Sequence, residues 1–241
     1  MEGDVEDRVF PEIAGLHYIR VLERLHQRLQ PEWYLEVGTF QGRSLALCNG
    51  NAIAVDPIFR LKDPAIGKQA RQRHFFQMTS DDFFATRFIQ NSGISIDFAF
   101  LDGLHHFEVL LSDFIETERL MSPEGVIALH DCCPLNVEMT ARKRIRGFWT
   151  GDVWKTIAIL RKYRPDLTID VTTARPTGLA IISGLDPKSN VLSECYDDAV
   201  AEFQSVPMSE EALTDYYDGL ELNRPIKSLA KLPDRGSPQA A

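Results

Sequence analysis

The chain has no Cys-x-x-Cys pair, no uncharged stretch of membrane-spanning length, no Gly-x-Gly-x-x-Gly and no excess of cations. Its four cysteines, Cys48, Cys132, Cys133 and Cys195, lack metal-ligand spacing, so a zinc knuckle and a disulfide scaffold are both excluded and reduced thiols are expected. Lys and Arg number 26 against 35 Asp and Glu, a formal charge of -9 that repels a phosphate backbone over most of the surface. No nucleic-acid partner is expected. Residues 1–7 are acidic and lack the basic start and apolar run of a secretion signal; with no membrane helix either, a cytoplasmic location is expected.

What is present is ordinary globular material, 44% hydrophobic and 25% charged over 241 residues, enough for one substantial core. The apolar spacing of Tyr18, Val21, Leu22, Leu25 and Leu29 predicts a helix ahead of the first strand. Short apolar runs then alternate with helical stretches, giving strands at 33–38, 52–56, 74–77, 96–102 and 126–131. Phe107, Leu110, Leu111, Phe114 and Met121 share a helical face, and Ser122-Pro123-Glu124-Gly125 reads as a turn. A helix at 152–163 and an antiparallel pair, 167–171 with 179–183, complete the sheet. The expected fold class is α/β: a doubly wound, seven-stranded, mostly parallel sheet with an antiparallel edge pair. One domain spans 1–222, with an N-terminal helix at 14–30, a core at 31–183 and C-terminal helices at 191–222, and a flexible tail occupies 223–241.

The segment Glu36-Val37-Gly38-Thr39-Phe40-Gln41-Gly42-Arg43-Ser44 sets a glycine turn between an apolar strand and a helix, letting a ligand approach the backbone. The spacing is Gly-x-x-x-Gly, and Glu36 sits two residues before the turn. A fixed carboxylate there repels a pyrophosphate and attracts a ligand that carries a sulfonium and an ammonium group, as S-adenosylmethionine does. Asp56, ending the next strand, is placed to accept from ribose hydroxyls, and Ser80 or Asp81 to reach an adenine amino group. Gly38, Thr39, Gly42 and Ser44 complete the expected cofactor loop.

With Phe100-Leu101-Asp102-Gly103-Leu104-His105, these motifs resemble class I S-adenosylmethionine-dependent methyltransferases. Within that class the likeness is to a small bacterial Asp-Gly-x-His group related to macrocin O-methyltransferases and cephalosporin hydroxylase-like proteins. It covers roughly residues 31–183 and implies a Rossmann-like methyltransferase fold.

Asp102 and His130-Asp131 fall at the ends of two strands expected to be neighbours, so Asp102, His130 and Asp131 are candidate ligands of a divalent metal such as magnesium. The resemblance implies such a metal in some relatives, which carry an acidic pair where this chain has His130-Asp131, a pairing that favours a softer ion or none. Asp102 also counts among the expected cofactor contacts. His105 is the candidate general base for an acceptor hydroxyl, with Asp102 beside it, and His106 is expected to point elsewhere. The basic stretch Arg142, Lys143, Arg144 and Arg146, followed by Phe148 and Trp149, would cover an anionic or sugar-like acceptor or form a solvated helix face.

These readings converge on methylation, mainly at oxygen, of a small-molecule or glycan acceptor by a protein compatible with a homo-oligomer. Two rivals stand beside it: an NAD-dependent oxidoreductase on a similar sheet, and a non-catalytic cofactor-binding accessory protein. Hydroxylase-like chemistry stays open.

Overall fold

The computed structural model describes residues 10–11, 13–62 and 71–236. In chain order the elements are α1 (Tyr18–Leu29), β1 (Trp33–Val37), β2 (Asn51–Val55), β3 (Arg73–Phe76), α2 (Ser80–Ala85), α3 (Phe88–Ser92) and β4 (Ile96–Leu101). Then come α4 (Phe107–Glu118), β5 (Met121–His130), α5 (Trp154–Tyr163), β6 (Thr168–Thr172) and β7 (Leu179–Ser183). Four short helices close the described chain: α6 (Val191–Glu194), α7 (Tyr196–Gln204), α8 (Glu210–Asp218) and α9 (Pro225–Ala230).

The strands form one seven-stranded sheet in the order β3-β2-β1-β4-β5-β7-β6. The first five run parallel and β7 is antiparallel to both its neighbours. This is the expected doubly wound sheet with its antiparallel edge pair, a Rossmann-like methyltransferase fold. Every position of β2 is buried, because helices and loops cover both faces of a parallel sheet and leave no polar side for an alternating pattern.

One face packs Leu35, Val37, Ile53, Ala99, Leu101 and Leu129 against α2 to α8. The other packs Tyr34, Ala52, Phe98, Phe100 and Ala128 against Val21, Leu22, Leu25 and Leu29 of α1. The two faces alternate residue by residue along each strand, as the pleat requires. The chain leaves β1 in one direction, toward β2 and β3, and returns through β4 in the other. That reversal opens a crevice between the carboxyl ends of β1 and β4.

Four local expectations are corrected. No α-helix follows the glycine turn: Leu45–Leu47 make a single 3-10 turn and β2 begins at Asn51, too soon for a helix of stable length. Ser122 to Gly125 do not turn the chain before β5 but bulge out of it, between the pairs Ile96 with Met121 and Phe98 with Val126. Ser122 Oγ anchors that bulge by donating to Asp97 Oδ1 at 3.1 Å. The first of the helices expected at 191–222, read from the spacing of Leu192, Cys195, Ala199, Val200 and Phe203, is broken at Cys195 into α6 and α7. Finally, residues 223–236 of the expected tail are packed. Asn223 N donates to Val171 O at 2.9 Å, and Leu229 and Leu232 are buried in the cluster that holds α1. Arg28 Nε reaches Leu232 O at 2.9 Å, so two apolar anchors, a backbone bond and an arginine hold what Pro and Lys content suggested was loose. Residues 237–241 and the acidic residues 1–7 lie outside the described part.

Among the described residues, no helix is long and apolar enough to cross a membrane.

Candidate active site

A cleft of about 880 Å³ opens at the sheet reversal. Its floor is made by the ends of β1, β2, β4 and β5 with Gly38, Asp56, Asp102, His130 and Asp131, and its walls by Ser80, Asp81, His105, Arg144 and Trp149. Such a volume falls in the range of small-molecule and cofactor sites, about 300 to 1,000 Å³.

On the β1–β2 side the carboxylates are already committed to the protein. Asp56 Oδ2 accepts from Phe40 N and Oδ1 from Ile58 N, both at 2.7 Å, tying the glycine loop to the loop after β2. Phe40 is held at a φ of 42°, which costs a bulky residue energy and fits a loop shaped by its anchors. Glu36 does not line the cleft; it is buried directly beneath Val37 and Gly38. Tyr34, two residues earlier on the same face, donates its hydroxyl to Glu36 Oε2 at 2.5 Å, while Oε1 makes no hydrogen bond. Burial pushes the Glu36 carboxyl up to about 7, and the nearby hydroxyls of Tyr34, Ser44 and Thr39 only partly offset it.

Gly38 lines the cleft and also admits the neighbouring strand. Its φ is +90°, and a Cβ there would lie 2.0 Å from the carbonyl oxygen of Asp102. Asp102 N in turn donates to Val37 O at 2.9 Å, so the motif's first glycine locks the two halves of the cleft together. Gly42 has a φ of +72° and accepts the turn that brings Ser44 to Glu36.

Opposite, on the β4–β5 side, four titratable groups face one another. His130 Nδ1 lies 3.1 Å from Asp102 Oδ1 and 3.5 Å from Asp131 Oδ1. His105 Nε2 lies 3.5 Å from Asp102 Oδ1 and 3.4 Å from Asp131 Oδ2. Burial by itself lowers both histidines, but the two aspartates outweigh it: His105 is raised and His130 reaches about 9. Burial alone would raise Asp102, and the two imidazoles instead hold it below the usual carboxylate range.

The imidazoles are held differently. His105 is in the loop before α4, and its Nδ1 contacts Trp149 O at 2.9 Å. A carbonyl only accepts, so Nδ1 carries the proton and a neutral His105 presents its lone pair at Nε2. The Trp149 indole stacks on it, with centroids 4.7 Å apart and an interplanar angle of 20°. Gly151, with φ +58°, permits this close approach: a Cβ there would meet His105 O at 1.9 Å. His130 packs against Tyr18 of α1 with the rings tilted and their centroids 4.1 Å apart, and its Nε2 is buried without a partner. Asp131 is itself in the left-handed region at φ 59°, where Thr177 Oγ1 donates to its Oδ1. His106 turns away, as expected, with Nε2 on Arg142 O at 3.1 Å.

One atom each from Asp102, His105 and Asp131 lie within 4.8 Å of one another, a spacing that fits a cation. His130, expected as the third ligand, is not part of this group. Its Nδ1 is directed at the two aspartates, 3.1 and 3.5 Å away. The donor set of two carboxylates and a carbonyl-oriented imidazole suits a divalent ion of borderline softness.

Sequence reasoning missed several contributors. Tyr34 was legible as the residue two before Glu36 on one strand face, whereas Tyr18, Thr177 and Gly151 come from distant segments without a local signal. Asp113 of α4 was missed too. It is 1% exposed, neither oxygen has a partner, and Oδ2 lies 3.6 Å from where a Gly103 Cβ would sit. Burial pushes its carboxyl up to about 7, with Ser80 pulling the other way.

A Rossmann-like methyltransferase fold with a cleft at its switch point is the class these features define. A family model described as a methyltransferase domain matches residues 35–132, a span that runs from just before Glu36 to just beyond Asp131. Among solved structures, an O-methyltransferase from Bacillus cereus in complex with SAH is similar at 13% identity and a TM-score of 0.52, over 70% of this chain and 80% of that one. An SAH-bound methyltransferase from Podospora anserina is similar at 13% identity and a TM-score of 0.50, over 70% of this chain and 78% of the other. At these identities the likeness is one of fold. No curated protein sequence matches the chain.

Proposed function

We propose that the chain transfers the methyl group of S-adenosylmethionine to a hydroxyl oxygen of a small acceptor, a natural product, sugar or glycan. The observation that carries this is the coincidence of the methyltransferase-domain match with the cleft: Asp56, Asp81, Asp102 and Asp131, which line it, all fall inside residues 35–132. The donor is a cation with an ammonium group, and an acidic cleft attracts it as it would repel a pyrophosphate.

Glu36, with a bare buried oxygen, supplies the negative potential beneath the glycine turn formed by Gly38, Thr39, Gly42 and Ser44. Each Asp56 oxygen uses one lone pair on the backbone and keeps another for the ribose hydroxyls. Ser80 or Asp81, both on the cleft wall, faces the adenine amino group.

Methyl transfer is an in-line displacement: the bond from acceptor oxygen to methyl carbon forms as the carbon–sulfur bond breaks, and a neutral thioether leaves. The hydroxyl proton goes to His105 Nε2, which Asp102 and Asp131 then stabilise as imidazolium. Alignment and deprotonation carry the rate, and no covalent enzyme intermediate is required.

The convergence of Asp102, His105 and Asp131 supports a second reading of the same hydroxyl activation. A divalent ion held by those three would lower the hydroxyl's pKa as a Lewis acid. Dialysis against a chelator followed by readdition of magnesium or manganese separates the two: loss and recovery of activity favours the ion, unchanged activity favours His105 as base.

Thermal shift tests the donor assignment. S-adenosylmethionine and SAH are expected to raise the melting temperature with saturable dependence, and NAD to leave it unmoved. A shift with NAD alone would favour the oxidoreductase reading, and donor binding without turnover on any acceptor would favour the accessory-protein reading.

A further inference from the structure

The stretch following β5 carries four cations, and they are used differently. Arg142 is consumed: it bonds Glu108 through both terminal nitrogens and Asp152 Oδ2 at 2.6 Å, pinning the loop to α4. Lys143, Arg144 and Arg146 are all exposed, and Lys143 and Arg146 do not line the cleft. Arg144 does line it, and among the described residues it forms no ion pair, although the cleft holds four carboxylates. Its guanidinium lies 5.8 Å from the centroid of the Trp149 indole, the ring that stacks on His105. That indole is itself fixed, donating its N–H to Ala141 O at 2.5 Å. One aromatic ring therefore carries the candidate base and an uncommitted, partly oriented cation.

We infer that the acceptor bears an anionic group, a carboxylate or a phosphate ester, which Arg144 receives while the acceptor's hydroxyl lies against His105. This rests on the methyl-transfer reading above and narrows its acceptor class. An anionic acceptor entering this cleft meets Asp56, Asp81, Asp102 and Asp131, so it needs a counter-charge at the wall. A planar guanidinium held on an aromatic face offers paired N–H donors matched to a carboxylate or phosphate and loses less freedom on engaging one. A neutral sugar gives no such reason for an unpaired arginine in an acidic cleft.

The test uses the full chain loaded with SAH and three aromatic probes: benzoate, phenyl phosphate and benzyl alcohol. The readout is the Trp149 indole N–H resonance in nitrogen-15 spectra, assigned with Trp149→Phe. Benzoate, phenyl phosphate or both are expected to move that resonance at roughly five- to tenfold lower concentration than benzyl alcohol, the effect of one partly exposed charge-assisted contact. Whichever anion acts at the lower concentration distinguishes a carboxylate from a phosphate. Arg144→Gln is expected to erase the preference, and Lys143→Gln, which removes the same charge from the adjacent position, to keep it. No preference for either anion, or a preference that survives Arg144→Gln, overturns the inference. SAH binding is measured first by calorimetry. Its absence overturns the methyl-transfer reading and this inference with it, whereas SAH binding without anion preference overturns this inference alone.

Discussion

The two halves of the cleft are built on opposite plans. On the β1–β2 side Asp56 spends both oxygens on backbone N–H groups and Glu36 is sealed under the glycine turn with a tyrosine. On the β4–β5 side Asp102, His105, His130 and Asp131 meet side chain to side chain at 3.1 to 3.5 Å. The first half is a shaped backbone with a buried charge beneath it, suited to holding a constant ligand. The second is a proton-exchanging cluster that can change its charge distribution during a reaction. Binding should therefore fail from one side and chemistry from the other.

Replacing His105 by Ala is the hardest strike at that division. It should lower kcat by about 10² to 10⁴, the usual worth of a positioned general base, and leave the dissociation constant of S-adenosylmethionine within about twofold. A comparable loss of donor affinity would mean that the halves are not separable.

Glu36→Gln should do the reverse. Donor affinity is expected to fall about 10-fold, as when a buried charge acting on the ligand across the low-dielectric interior is lost, with a much smaller change in kcat at saturating donor. Because burial holds the Glu36 carboxyl near 7, the free protein carries it partly protonated at neutral pH. A cationic ligand favours the ionised form, so affinity should rise as pH climbs from about 6 to 8 and level off above.

Asp113→Asn should produce a smaller effect, on stability alone. The carboxyl moves from an ordinary 3.8 to about 7 on folding. Its protonated form therefore favours the folded state fully below about 4, and that contribution is lost as pH rises through 7. At pH 8 the folded protein holds an unpaired buried charge, and the amide should melt higher, by roughly 1 to 3 kcal/mol of stability. Equal melting at pH 8 would show that Asp113 has a partner in solution. The smallest change is expected from Trp149→Phe, which keeps a ring on His105 but loses the bond to Ala141 O: a stability cost of about 0.5 to 1.5 kcal/mol.

The same division explains what the sequence made legible. The strands were readable from apolar runs, and the mostly parallel sheet followed from their alternation with helices. The first half of the site was equally readable, because Glu36, Gly38, Gly42 and Ser44 lie within nine residues of one another. Even there, the role of Gly38 was hidden, since its contact is with Asp102 across the sheet. The second half depends on pairs far apart in the chain: Thr177 on Asp131, Trp149 on His105, and Tyr18 on His130. Which histidine completes the cluster with Asp102 and Asp131 was decided by those distant partners, and strand-end position alone pointed to His130 instead of His105. The packed tail escaped for a related reason: Leu229 and Leu232 are apolar anchors only because α1 offers a surface more than two hundred positions earlier.

The central claim is that a buried acid under the glycine turn selects a positively charged methyl donor. Titrating S-adenosylmethionine by calorimetry at pH 7 into the folded protein, in two buffers of different ionisation heat, tests it most directly. The expected result is saturable binding whose heat depends on the buffer, because a proton leaves the protein, and Glu36→Gln abolishes that dependence. No binding heat in either buffer, or a proton release that survives Glu36→Gln, would contradict it.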